Sequence, residues 1–315
     1  MILRCRIKKK NPGQFKITRM GRDLDILVYV KPGLDAETQW RICLPKNMVK
    51  DAVKWFHLAL GHPGYARTYD TMRSRYYSQH LSYECRQFKC EDCQKHKADG
   101  RGWGLLPERE VTAEPFEEVA VDLIGPWKIP VGNRTVEFNA LTCIDMASNL
   151  VELVRIKNKT SSHVSHKFAQ TWLARYPRYE KVIHDNGGEF IGPEFQSVLR
   201  AYEICSANTS SKNPQANAVC ERMHQTVANI LRTLLSDAKP KNVTHANEII
   251  DEALALAMFA LRATIHTTLG SSPGSLAFNR DMLLNIPLVA DWHMIMKRRE
   301  HLINANIRRE NRKRR

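Results

Sequence analysis

Residues 181–224, KVIHDNGGEF IGPEFQSVLR AYEICSANTS SKNPQANAVC ERMH, decide how the rest of the chain is read. Val182 and Ile183 form a short apolar run that predicts a buried strand, with Asp185 at its end. Asn186-Gly187-Gly188 then turn the chain, because glycine accepts the backbone angles that a tight exit requires. Phe195, Val198, Leu199 and Tyr202 recur at helical spacing, a second short strand is expected near Ile204, and residues 206–217 read as a polar loop. A long helix is expected from about Ala216. Its apolar positions Val219, Met223, Val227, Ile230 and Leu234 step by four, four, three and four, which makes one buried stripe. At about 100° per residue, Glu221 falls roughly opposite that stripe, on the polar face it shares with Gln225, Ala228 and Arg232.

A lone Asp or Glu is most often a solvated surface charge. The pattern around residues 119–126, VAVDLIGP, is different, because it embeds Asp122 in a second apolar strand. A carboxylate there is costly unless it is paired or binds a metal. Three acids carried by two strands and a helix offer the oxygen donors that Mg2+ prefers. Two such ions about 3.5–4 Å apart clamp the attacking and leaving oxygens of a phosphodiester displacement.

Asp122, Asp185 and Glu221, with 35 residues between the last two, resemble the D,D-35-E signature of retroviral and LTR-retrotransposon integrases, gypsy-type or a neighbouring lineage. VDLIGPW around the first acid, HDNGGEF around the second and NPQANAVCERMHQTVANILRT around the third carry the same resemblance. One departure is Ala218, where many members of that family have glycine. The resemblance implies an RNase H-like α/β core in which the three acids hold Mg2+ or Mn2+.

A second motif lies upstream. Four residues separate His57 from His62, 27 separate His62 from Cys90, and two separate Cys90 from Cys93. Histidines four or five apart on a helix share a face, and a Cys-x2-Cys loop brings two thiolates together, so the four complete a tetrahedral zinc shell. The spacing is similar to the HHCC zinc domain of integrases, including the Pro63-Gly64 that follows the second histidine. Cys85 and His96 fit the spacing less well and are expected to be non-ligands. With four protein donors, the zinc is structural rather than catalytic.

The 315 residues carry a formal charge of +15, and nearly all of it sits at the two ends. Residues 1–20 hold seven Lys/Arg and no acid, and residues 297–315 hold nine against Glu300 and Glu310. Basic ends around a nearly neutral middle suit a polyanion such as DNA. The start MILRCRIKKK is too charged for a signal peptide, and the longest apolar run, 253–261, is too short to span a bilayer, so no membrane partner is expected. Eight cysteines scattered over a long chain favour a reducing compartment, with the close pair used for metal.

The expected organisation is a β extension over 1–47 and a helical zinc-binding domain over 48–97. A linker over 98–115 leads to an RNase H-like core over 116–270 and a helical basic tail over 271–315. Strands are expected at 15–20, 24–30, 38–44, 136–145 and 150–156, and helices at 65–77, 160–176, 246–265 and 289–307. Asp145 ends a strand without a partner at the family's spacing and is assigned a turn role; His184 is a neighbour of Asp185 rather than an acid–base group. In integrases a small β-barrel normally follows, which residues 297–315 do not contain.

The resemblance implies a DNA-integrating enzyme, a polynucleotidyl transferase and endonuclease that works as a homo-multimer on double-stranded element ends and target DNA. Its site of action would be the nucleus, reached from a cytoplasmic element particle. The terminal RRENRKRR reads equally as an import signal, a nucleic-acid patch or a charged helix end. A transposase or RNase H-type nuclease, and a DNA-binding relic without catalysis, remain as alternatives; the zinc motif weighs against RNase H, and the complete triad against inactivation.

Overall fold

The computed structural model describes residues 12–20, 24–30, 40–97, 114–208, 214–284 and 291–314, and only the backbone of 12, 20, 24, 214–221, 310, 313 and 314. The basic start over 1–11, the expected linker up to residue 113 and residues 209–213 of the polar loop lie outside the described residues. The chain divides into two compact units, Met1–Cys90 and Glu91–Arg315.

The first unit joins a small sheet to three helices. Strands β1 (Phe15–Met20), β2 (Leu24–Val30) and β3 (Trp40–Cys43) form an antiparallel run, β1 and β2 at the bounds their alternation predicts. Helix α1 (Lys46–Ala59) buries Val49, Val53, Phe56 and His57, a stripe at helical spacing. Helix α2 (Tyr65–Arg75) stops two residues before the expected end, and β4 (Tyr76–Tyr77) instead pairs parallel with β3. Tertiary contacts override the helical pattern there. Leu44 N–H donates to the Tyr77 carbonyl at 2.9 Å, Tyr77 stacks on Tyr29 at 3.9 Å, and Tyr76 meets Phe56 edge-on at 5.7 Å. Helix α3 (Leu81–Gln87) closes the unit, burying Leu81 and Cys85.

The second unit opens with the short α4 (Glu91–His96) and is built on a five-stranded sheet. Strands β5 (Glu118–Val131), β6 (Arg134–Asp145) and β7 (Val151–Ile156) run as an antiparallel meander. On the other side of β5, strands β8 (Lys181–His184) and β9 (Cys205–Asn208) add in parallel, giving the order β7-β6-β5-β8-β9. This is the RNase H-like arrangement that the acid motifs imply. A bulge between Ile124 and Trp127 bends β5, and Gly125 sits in it at φ +114° with the Phe138 carbonyl 3.0 Å from where a Cβ would stand. A side chain is excluded at that point by both conformation and space.

Alternation splits the sheet's side chains between two apolar layers. Val119, Val121 and Val182 face α5 (Ser161–Phe168) and, beyond the four-residue α6 (Gly188–Ile191), α7 (Pro193–Ala201), whose Val164, Phe168, Phe195 and Leu199 join one core. Thr160 caps α5 by accepting from His163 N–H. The expected helix over 160–176 is in fact two pieces, since α5 passes into a π-helical turn at Ala169–Leu173, with Ala174 N–H reaching the Ala169 carbonyl. Ala120, Ile124, Ile144 and Ile183 face the opposite layer, shared with α8 (Pro214–Leu235) and α9 (Val243–Ala263). Val227, Ile230 and Leu231 of α8 are buried there, with Met223 and Leu234 partly so, which is the stripe read from the sequence. Each such apolar side chain, fully buried, contributes about 1.5–3 kcal/mol. Helix α8 starts two residues earlier than expected, at a proline that fits a first turn. Helix α9 starts three earlier, where Asn242 accepts from His245 N–H at 2.8 Å.

Asp145 is fully buried in the β6–β7 turn and accepts from Ser148 N–H at 2.7 Å, from the Ser148 hydroxyl and from Phe116 N–H at 2.9 Å. It does the turn work expected of it. The tail expected over 271–315 holds α10 (Pro273–Phe278) and α11 (Trp292–Arg314), which runs seven residues past the end expected for its helix, and Arg299 of α11 is buried on the carbonyl of Ala147.

Candidate metal centre and acid site

The four residues of the His/Cys motif come together. One ligand atom from each of His57, His62, Cys90 and Cys93 lies within 4.8 Å of the other three. The local chain explains the approach. His57 is in the last turn of α1, and two left-handed residues follow that helix after Leu60, Gly61 at φ 64° and His62 at φ 58°. A left-handed histidine is an uncommon backbone state, held here by His62 N–H donating to the His57 carbonyl at 2.8 Å. That turn folds the His62 ring back to 4.8 Å from His57. Cys90 Sγ is 3.3 Å from His62 Nδ1, and Cys93 follows within a few bonds, at the start of α4. At ordinary zinc bond lengths a tetrahedral shell has edges of roughly 3.3–3.8 Å; the Cys90–His62 pair stands at such an edge, and two imidazoles and two thiolates gathered within 4.8 Å are the donor set that zinc takes. Cys85 stands outside the cluster, and burial pushes its thiol up to about 12. His96 is not among the four either.

The acids sit on the α8 side of the larger sheet. Asp122 shares its face of β5 with Ala120 and Ile124, both part of the core against α8. Ala120 pairs with Ile183 across the parallel β5–β8 ladder. Asp122 stands two residues beyond Ala120 on β5, and Asp185 directly follows the end of β8 at His184, two residues beyond Ile183. Asp122 is half-buried, and its Oδ1 accepts from Leu123 N–H at 2.7 Å. Asp185 is exposed and its Oδ1 accepts from Gly187 N–H at 2.9 Å; Gly187 sits at φ -59°, so the turn does not use the special glycine angles expected of it. A Cβ on Gly187 would come within 2.9 Å of both that oxygen and Glu189 Cδ, so a side chain there would push on the Asp185 and Glu189 carboxylates.

Glu221 lies on α8, one helical turn before His224; its side chain is outside the described residues. His224 is described. Its Nδ1 is 3.6 Å from Asp122 Oδ2, and its Nε2 is 3.0 Å from the hydroxyl of Thr142, which in turn donates to the Asp122 carbonyl at 3.0 Å. Burial pushes the His224 imidazole down to about 4, so the ring is neutral at neutral pH and its approach to Asp122 is not an ion pair. His184, beside Asp185 in sequence, is on the other face against Phe190, its Nε2 2.8 Å from the Ser206 hydroxyl. It ties β8 to β9.

Thr142 and His224 were not among the residues singled out from the sequence. The signals were there: Thr142 is the polar member of the alternating set Phe138, Ala140, Thr142, Ile144, and His224 stands one turn from Glu221.

Residues 44–99 match the integrase zinc binding domain family. The chain is 25% identical over 181 residues to the retrovirus-related Pol polyprotein from transposon 412 of Drosophila melanogaster, covering 57% of this chain and 14% of that protein. It is 23% identical over 255 residues to the transposon Tf2-3 polyprotein of Schizosaccharomyces pombe, covering 78% of this chain and 18% of that one. It therefore spans less than a fifth of the length of these relatives. Among solved structures, the catalytic core domain of BIV integrase aligns at 20% identity over 51% of this chain and 93% of that chain, with a TM-score of 0.40. The simian T-cell lymphotropic virus intasome, solved with the PP2A regulatory subunit B56 gamma, aligns at 16% identity over 76% of both chains, with a TM-score of 0.49. Residues 44–99 thus form an integrase zinc-binding domain ahead of a core whose strand order is RNase H-like, in a chain similar to parts of retrovirus-related and transposon polyproteins.

Proposed function

We propose that this protein is a retroelement integrase that processes DNA ends and joins them to target DNA. The observation that carries the reading is the parallel pairing of β5, which bears Asp122, with β8, which Asp185 follows, in a sheet packed against α8, the helix that bears Glu221. These three carboxylates would hold two Mg2+ or Mn2+ ions. A related-fold core domain from HTLV-2 integrase is described in complex with magnesium. When bound, the ions supply charge stabilisation at the attacking and leaving oxygens of a phosphodiester.

The reaction has two displacements of one kind. Water attacks a phosphodiester near the element's end; its oxygen bonds to phosphorus, the P–O3′ bond breaks, and a 3′ hydroxyl is left. That hydroxyl then attacks a target phosphodiester, forming a new P–O3′ bond as the target's own breaks. The carboxylates on β5 and at the end of β8 fix where the reacting phosphate sits, while the polar segment before α8 and the basic ends bind the DNA backbone. Phosphate contacts should dominate affinity and make it salt-sensitive. The zinc module holds its metal with four protein donors and serves as structure.

We further propose that the protein acts as a homo-multimer on double-stranded DNA, in the nucleus. A strand-transfer assay with labelled DNA ends, run beside Asp185→Asn, tests the central claim. Joined products that depend on divalent metal and vanish in the variant are expected; joining that persists in Asp185→Asn would refute it.

A further inference from the structure

We propose that His224, oriented by Thr142, is a positioning residue that fixes the Asp122 carboxylate relative to α8. This rests on the reading of Asp122 as a metal ligand.

Three contacts close a ring around Asp122. Its carbonyl accepts from the Thr142 hydroxyl at 3.0 Å, that hydroxyl meets His224 Nε2 at 3.0 Å, and His224 Nδ1 stands 3.6 Å from the Asp122 carboxylate. The last distance is too long for a hydrogen bond. The ring acts there as a wall beside Oδ2, limiting rotation of the carboxylate, and Thr142 sets the angle of the wall. Because Oδ1 is held by Leu123 N–H at 2.7 Å, the carboxylate is fixed from both sides.

The surroundings make a packing role insufficient. The interface between the sheet and α8 is otherwise built from Ala120, Ile124, Val227, Ile230 and Leu231. Placing a hydroxyl and an imidazole in such a layer costs free energy that apolar side chains of like volume avoid. The two polar groups meet each other, and they do so at the one level where the sheet carries Asp122. They come from β6 and α8, 82 residues apart in sequence, so the bridge refers a strand-borne acid to the helix that bears Glu221. For a two-ion site that distance between elements has to be kept to a fraction of an ångström. Groups that orient a metal ligand without touching the metal change affinity by about 10–100-fold when removed.

The test uses the zinc-saturated full chain and Mn2+ as the probe, with binding read from the free-ion EPR signal and folding from thermal melting. His224→Ala removes the wall; Thr142→Val removes its orienting partner at nearly constant volume; His224→Gln keeps an amide that reaches Thr142. We expect His224→Ala to weaken Mn2+ binding by about tenfold or more, Thr142→Val to weaken it in the same direction by less, and His224→Gln to restore most of the loss. A melting temperature close to wild type in Thr142→Val, beside weakened binding, separates positioning from packing. Mn2+ affinity unchanged in His224→Ala, or a His224→Gln variant as weak as His224→Ala, overturns the proposal. Mn2+ binding that survives Asp122→Asn overturns both this inference and the acid-site reading. A wild type that binds Mn2+ through Asp122 but joins no DNA removes the integrase reaction and leaves the positioning role standing.

Discussion

Arg299, in the first turns of α11, donates from Nη1 to the carbonyl of Ala147 at 2.8 Å, across 152 residues of sequence, and only 4% of it is exposed. Its neighbour Arg298 lies against Gly270, where an added Cβ would meet the guanidinium at 2.4 Å. The start of the basic tail is therefore part of the core's packing. Replacing Arg299 with Ala should lower stability by about 1.5–3 kcal/mol, the range for a hydrogen bond to a charged group. Urea unfolding of the variant checks this, and an unchanged midpoint would mean that α11 is not held by this bond.

Most of the tail's basic residues lie farther along the chain. Residues 308–315 carry six Lys/Arg and one acid. Removing them should weaken duplex binding and flatten its salt dependence, since each phosphate neutralised adds about −0.9 to the slope of log affinity against log salt. Removal of 297–315 should do the same and also lower the melting temperature, because Arg299 goes with it. A slope that does not change on the shorter truncation would place the DNA elsewhere.

Zinc should bind at one ion per chain through His57, His62, Cys90 and Cys93. Binding and folding of such a module are coupled, so chelation should melt α1, α2 and α3. Strand β4 pairs with β3, so the loss should spread into the β1–β3 sheet, while the larger sheet stays folded. Metal analysis and circular dichroism on Cys90→Ser/Cys93→Ser decide it; a variant with a full zinc content would refute the assignment.

Each of Asp122→Asn, Asp185→Asn and Glu221→Gln should reduce metal-dependent cleavage and joining by about 10²–10³-fold or more, the scale of losing one preorganised charge-stabilising group. Melting temperatures should stay near wild type, most clearly for the exposed Asp185. Near-normal turnover in Mg2+ by any one of the three would remove that acid from the site.

Glu152 gives a stability prediction independent of function. Its carboxylate is 1% exposed and meets the Arg262 guanidinium, the Tyr176 hydroxyl at 2.5 Å and Arg175 Nη1 at 3.6 Å. Arg262 also donates to the Val151 carbonyl at 3.0 Å, which ties α9 to β7. Glu152→Ala strands a largely buried cation and should cost about 3–5 kcal/mol. The same cluster sets an alkaline limit. Burial and the Glu152 bond push the Tyr176 phenol up to about 12, above its ordinary 10. The unfolded chain gives up that proton first, so the stabilisation is complete below about pH 10 and is lost as pH rises through 12. Tyr176→Phe should lessen the fall in unfolding free energy across that interval; an identical fall would assign it to other groups.

Local patterns carried the zinc quartet, since two-residue and four-residue spacings place ligands without any knowledge of the wider fold. They also carried the apolar strands around Asp122 and Asp185 and the buried stripe of α8, because periodicity reports which face is dry. What stayed hidden depends on distant partners. Nothing near Tyr76 announces that β3 will take it as a strand. The π-helical turn at Ala169–Leu173 breaks a segment whose residues suit a plain helix. Thr142, His224 and Arg299 look like ordinary polar residues until β6, α8 and α11 have been brought to the same places.

The parallel pairing of β5 with β8 joins Glu118 to Lys181, 63 residues later in the chain. Contacts of that separation form late, because a long loop must close before any favourable contact rewards it. A nascent chain that has made β5, β6 and β7 already holds Asp122 but has no second carboxylate beside it. Under the proposed function, the acid site is thus complete only once the sheet is, and a half-made or unravelling molecule is disarmed by its own topology.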